Sequence, residues 1–185
     1  MRNSLRIGTA ALACAAVLAS IGGCASRRLA EGTVPFPAKN PVLADAAGRP
    51  LNDLPASKEP LRLILLDFPW CPPCSDAWAS IAAVSKTVPA GKVRVYRVLF
   101  DREKLETARG ASETPPLLPP PALPALAFPV TTVTALTAPF LERYKIDRAP
   151  VLLLADASGR VLKRWIGYSP ALTESLRSEI AARLK

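Results

Sequence analysis

The sequence contains no histidine, and that absence narrows its chemistry at once. Cysteine is scarce too: there are four, at positions 14, 24, 71 and 74. Zinc needs about four ligands of the Cys/His type, so a metal centre would have to draw on all of these cysteines together. No acidic residue appears before Glu31. No run of Lys or Arg is interleaved with aromatics, so the formal net charge of +9 lends nucleic-acid binding little support. A solvated basic surface, or a basic domain near an anionic surface, accounts for that charge.

The N-terminus explains the acid-free stretch. Arg2 and Arg6 open the chain, and Ile7 to Ser20 is an Ala-rich apolar core. That is the pattern of a secretory signal, expected over residues 1–23. Its end, Ile21-Gly22-Gly23-Cys24, resembles the lipobox of bacterial lipoproteins. The resemblance implies cleavage before Cys24, a lipid on its sulfur, and a place in the bacterial cell envelope facing the periplasm. Ordinary cleavage and an uncleaved anchor are the alternatives. Neither Ala25 nor Ser26 is the Asp that enteric lipoproteins use to stay at the inner membrane, which favours the outer membrane slightly. Removing residues 1–23 takes two arginines and no acids, so the net charge falls to +7. Residues 24–40 have no period and mixed charge, and they read as a tether. Extended, about sixteen such residues reach roughly 50 Å.

If Cys14 leaves with the signal and Cys24 carries a lipid, one pair remains: Cys71 and Cys74, in Trp70-Cys71-Pro72-Pro73-Cys74. An apolar run, Leu61 to Phe68, precedes the pair and reads as a buried strand. An amphipathic helix pattern with Trp78, Ile81 and Ala82 on one face follows. A strand feeding a Cys-x-x-Cys helix start is the layout of a dithiol redox site. The competing readings are a structural staple and half of a zinc site. A staple gains more from a longer loop, and a zinc site lacks its second pair, so no metal or other cofactor is expected.

Residues 41–185 suit one domain with its own core. Ala46 to Leu54 reads as a small hairpin around Gly-Arg-Pro, and Val93 to Phe100 as a second strand. Thr137 to Lys145 reads as a short helix capped by Thr137. Val151 to Ala155 is a strand turning through Asp156–Gly159 into Arg160 to Ile166, and Ser169-Pro170 caps a last helix to Leu184. Strand–helix–strand units followed by a hairpin and a helix indicate an α/β sandwich, a mixed central sheet flanked by helices. Residues 101–136 read as an insert. Within it, Pro115 to Pro129 holds seven prolines in fifteen residues, a polyproline-like loop outside sheet and helix.

WCPPC, then Ala149-Pro150 before a strand, then a hairpin ending at Gly167, resembles thioredoxin. The hairpin AAGRPLNDL before the first central strand and the insert after the second resemble the membrane-anchored TlpA/ResA-like branch. The resemblance implies an envelope thiol–disulfide oxidoreductase that reduces disulfides of exported proteins. It implies Cys71 as nucleophile, Cys74 as resolving thiol, a cis Pro150 facing them, and Trp70 and Ala149 against the substrate. Its partners would be disulfide-containing exported proteins and an upstream membrane electron donor. Asp67 resembles the family's buried acid, a possible proton relay with Arg97 as charge partner, although it stands two residues closer to the motif. A solvated Asp at the strand end is the competing reading. Pro72 and Pro73 lack N–H groups, so few donors reach the Cys71 sulfur, which favours a reductant over a strong oxidant. A thiol peroxidase is disfavoured, since its Pro-x-x-x-Thr/Ser-x-x-Cys pattern is missing before Cys71. A metal-site assembly factor and a non-enzymatic partner-binding lipoprotein remain as alternatives.

Overall fold

A computed structural model describes residues 29–36, 40–68, 70–101 and 124–185. Seven strands form one mixed sheet. They are β1 (Leu43–Ala44), β2 (Pro50–Leu51), β3 (Leu61–Asp67), β4 (Val93–Leu99), β5 (Val130–Ala135), β6 (Val151–Asp156) and β7 (Val161–Ile166), in the order β2-β1-β5-β4-β3-β6-β7. Helix α1 (Pro72–Ser85) follows β3, α2 (Thr137–Tyr144) follows β5, and α3 (Leu172–Arg183) closes the chain. This is the expected α/β sandwich.

β3 is buried on both faces, as its near-continuous apolar sequence requires. It pairs in parallel with β4, Leu61 opposite Val93 through Asp67 opposite Leu99. It pairs antiparallel with β6, Leu66 opposite Val151. Its odd-numbered leucines, 61, 63 and 65, pack with Trp78 and Ile81 of α1 and Leu176 and Ile180 of α3. Ile64, Leu66 and Phe68 face the other way, toward Phe140 and Tyr144 of α2. The two-residue side-chain period thus builds two separate cores from one strand.

Three expectations need correction. The tether was expected over residues 24–40, but Leu29, Pro35 and Phe36 are buried against the α2 face. Gly32 N donates to Val161 O at 2.7 Å, and the Tyr144 hydroxyl to Pro35 O at 2.8 Å. The folded unit therefore starts by Leu29, because burying these apolar groups outweighs leaving the segment free. The insert boundary at 136 is also too late. Val130–Ala135 is β5, parallel to β4 and antiparallel to β1, and the Pro129 carbonyl already accepts from Val95 N at 3.0 Å. Most of the proline-rich stretch lies outside the described residues. Thirdly, Thr137 does not cap α2. Leu136 holds the cap position with no side-chain bond, and Thr137 is buried inside the first turn. α3 likewise begins at Leu172, with Ala171 as its cap residue.

One polar cluster ties the sheet to the loop ahead of β3. Buried Glu59 accepts from Arg94 Nε at 2.9 Å and Nη2 at 3.0 Å, and Arg94 Nη1 donates to Thr131 Oγ1 at 3.1 Å. The Arg94 hydrogen bonds hold the Glu59 carboxyl below its usual range, against the opposing effect of burial. A depressed carboxyl contributes stability in full above its unfolded pKa and loses it as pH falls through the folded one. Arg94→Leu should cost about 3 kcal/mol in urea unfolding at neutral pH, because it leaves a buried carboxylate uncompensated. The deficit should shrink on acidification, as the unpaired carboxyl, which burial now pushes up, takes up its proton.

Candidate active site

β3 ends at Asp67, and the chain turns within four residues to start α1. Cys71 N donates to Phe68 O at 2.8 Å, closing that turn. Cys71 is the N-cap residue of α1, in extended conformation (φ −98°, ψ 106°), with Pro72 and Pro73 as the first two helical residues. Proline suits this position because its fixed φ is helical and no N–H is lost from the ladder. The third residue, Cys74, donates its N–H to Cys71 O at 2.9 Å. Of the first three helical positions, two therefore have no backbone donor and the third is committed to the Cys71 carbonyl, not its sulfur.

The two thiols have different surroundings. Both are free; Cys71 is half-exposed, whereas Cys74 is 1 % exposed, one turn into the helix. Burial pushes the Cys74 thiol far up, and the Cys71 sulfur and the Asp67 charge add to it, with a backbone hydrogen bond at Phe68 acting the other way. Asp67 itself is 2 % exposed. Its Oδ2 accepts from Arg97 Nε at 2.6 Å, and the Arg97 guanidinium lies 5.9 Å from the centre of the Trp78 ring. The reading of Asp67 as a solvated strand-end residue is thus wrong. Parallel pairing puts Arg97 opposite Leu65, two residues back from the Asp67–Leu99 pair, so both side chains share the α1 face. Their opposite charges offset a desolvation that neither would tolerate alone.

Ala149 and Pro150 reach this site through sheet register. Val151 pairs with Leu66, so the two residues before it lie beside the end of β3. The Ala149–Pro150 bond is cis, Pro150 is buried and Ala149 half-buried. The Pro150 carbonyl accepts from Gly167 N at 2.8 Å, which draws the end of β7 in as well. Ile166 and Tyr168 flank that glycine, 44 % and 39 % exposed. Neither was picked out from the sequence; Gly167, as the hairpin's last residue, was the signal. Trp70 is half-buried and sets its ring edge-on to Phe68, 5.8 Å between centres. Phe68 stacks on Phe100 at 4.3 Å, Phe100 meets Phe140 at 5.1 Å, Phe140 meets Tyr144 at 4.6 Å, and Tyr144 meets Phe36 at 5.8 Å. This run of rings mounts the motif on the α2 core. Cys24 lies outside the described residues.

The mixed sheet and its helices superimpose on solved structures. A thioredoxin-like protein from Aeropyrum pernix superimposes with a TM-score of 0.57 at 17 % identity, covering 77 % of this chain and 89 % of that one. The fold is thioredoxin-like. A protein assigned as the thiol:disulfide interchange protein DsbE from Chlorobium tepidum gives 0.53 at 20 % identity over 85 % and 99 %. A thiol:disulfide interchange protein from a Bacteroides species gives 0.50 at 18 % over 83 % and 92 %. The sequence matches no protein-family model and no curated protein, so the likeness lies in the fold.

Two outcomes follow from the geometry of this site. Pro72→Ala returns an N–H to the first helical position and should make the dithiol more oxidising by about 30 mV, the equivalent of about 1.4 kcal/mol. A glutathione titration followed by Trp fluorescence measures this. Asp67→Asn removes a charge that disfavours the Cys74 thiolate, so the pH at which Cys74 ionises should fall. Alkylation of Cys74 against pH, in the Cys71→Ser background, reads the shift; an unchanged midpoint would mean that Arg97 already cancels the carboxylate's field.

Proposed function

We propose that the protein is a thiol–disulfide oxidoreductase of the bacterial cell envelope, reducing disulfides of exported proteins through Cys71 and Cys74. The observation that carries this reading is the contrast between the two sulfurs, one half-exposed at a helix N-terminus and one buried a turn later. In the first step the Cys71 thiolate attacks one sulfur of a substrate disulfide. A Cys71–substrate disulfide forms and the other substrate sulfur leaves as thiolate. Cys74 then gives up its proton and attacks the Cys71 sulfur. The second substrate thiol departs, and two electrons have passed from the dithiol to the substrate. Burial keeps Cys74 protonated until then, which fixes the order of attack. Asp67, within electrostatic reach, is the candidate acceptor of its proton. An upstream dithiol donor at the membrane must reduce the Cys71–Cys74 disulfide after each turnover.

The Ala149 backbone, held beside the motif, offers strand-like hydrogen bonds to an extended substrate peptide, and Trp70 covers one side. The signal-like N-terminus and the lipobox-like residues before Cys24 support export and a lipid anchor. Among the described residues no helix is long and apolar enough to cross a membrane.

The purified domain should reduce insulin with dithiothreitol as electron source, and Cys71→Ser should abolish the activity. Cys74→Ser should accumulate mixed disulfides with envelope proteins that run as higher bands on non-reducing gels and collapse on reduction. Unchanged insulin precipitation, together with an empty trap, would leave only a binding role for the fold.

A further inference from the structure

Residues 29–36 cross the α2 face as a strap with a definite direction. Buried Leu29 lines a small hollow with Val151 and Ile166, at the dithiol end of β6 and β7. Three residues on, Gly32 N donates to Val161 O at 2.7 Å, and Val161 N to Thr33 O at 2.8 Å, at the opposite end of β7. Arg160 Nη1 adds a bond to Gly32 O at 2.9 Å. Farther along, Val34 and the Phe36 carbonyl lie against Gly159, in the turn farthest from the dithiol, and would sit 3.7 and 3.5 Å from a Cβ added there. The strap therefore runs away from the dithiol, and its first residue, Leu29, stands at the dithiol end.

The length of chain left over then decides orientation. Cys24 precedes Leu29 by five residues, which span at most about 17 Å. A domain of this size has a radius of about 19 Å, so turning its dithiol end away from an anchor point requires the leash to follow roughly 60 Å of surface. A free tether of sixteen residues would approach that length; the strap removes most of it. Among the described residues, the same end of the domain carries exposed Lys145 and Arg148, the exposed acids Asp76 and Asp147, and the exposed apolar Ile166 and Tyr168. An apolar and an aromatic side chain flanked by the long stems of Lys145 and Arg148 suit the headgroup region of a bilayer.

We infer that the strap makes the Cys24 anchor a short leash that holds the dithiol end against the membrane, and that the substrate is a disulfide held at the bilayer surface. This rests on lipidation of Cys24. It narrows the partner from exported proteins in general to those embedded in, or lying on, the same membrane.

The test uses the acylated full-length protein in vesicles of phosphatidylethanolamine and phosphatidylglycerol. Two palmitoylated disulfide peptides are supplied, one with its disulfide at the headgroups and one carrying it on a helical spacer roughly 60 Å above them. The native chain should reduce the near disulfide about tenfold faster than the far one. Inserting about twenty Gly/Ser residues between Arg28 and Leu29 should remove that preference while leaving insulin reduction unchanged. Leu29→Asp, which expels the strap's first anchor, should weaken the preference in the same direction. Equal rates for the native chain, or a preference that survives the insertion, would overturn the leash with the anchor intact. An unacylated Cys24 in the mass spectrum of the envelope-purified protein would overturn anchor and leash together.

Discussion

The pairing of β3 with its two neighbours is the constraint on which the site depends. Leu66 opposite Val151 brings Ala149–Pro150 beside a motif that stands some eighty residues earlier in sequence. The parallel register with β4 places Arg97 on the α1 face within reach of Asp67. A slip of one residue would exchange the two faces of β3, sending Ile64 and Leu66 toward α1 and exposing the acid to the α2 core. Burial on both faces makes such a slip prohibitive, so the dithiol, the cis-proline loop and the buried ion pair are set by one register.

Within that frame, chemistry arises from unequal desolvation. The helix start exposes Cys71 and encloses Cys74, and enclosure raises the cost of charge on the second sulfur. The same helix start is poor in donors, because Pro72 and Pro73 carry none and Cys74 N is engaged by a carbonyl. A thiolate with few hydrogen bonds is poorly stabilised relative to the disulfide, which makes the dithiol a stronger electron donor. The rings from Trp70 to Phe36 brace this arrangement from below and join it to the strap, so the site and the N-terminal segment share one core.

The sequence was most legible where the pattern was local. WCPPC after an apolar run, Ala149-Pro150 before another, and the Asp156–Gly159 turn each announced their element, and Arg97 was a foreseeable partner for Asp67. It was least legible where burial came from distant packing. Leu29, Pro35 and Phe36 sit in a stretch whose prolines and mixed charge look like a tether, and only contact with α2 and β7 makes them structural. Val130–Ala135 is rich in β-branched residues, but proline-dense neighbours hid a strand that is central in the sheet. Thr137 looked like a cap and is instead buried, since the helix begins with its side chain already facing the core. The depth of Asp67 was undecidable from spacing, because it closes its strand two residues nearer the motif than the family's acid, where the strand end could equally face solvent.

The reduction potential of the Cys71–Cys74 couple in the native chain tests the account most directly. The donor-poor helix start and the buried Cys74 predict a value near that of thioredoxin, about −270 mV. A value near −120 mV, that of a strong oxidant such as DsbA, would contradict it.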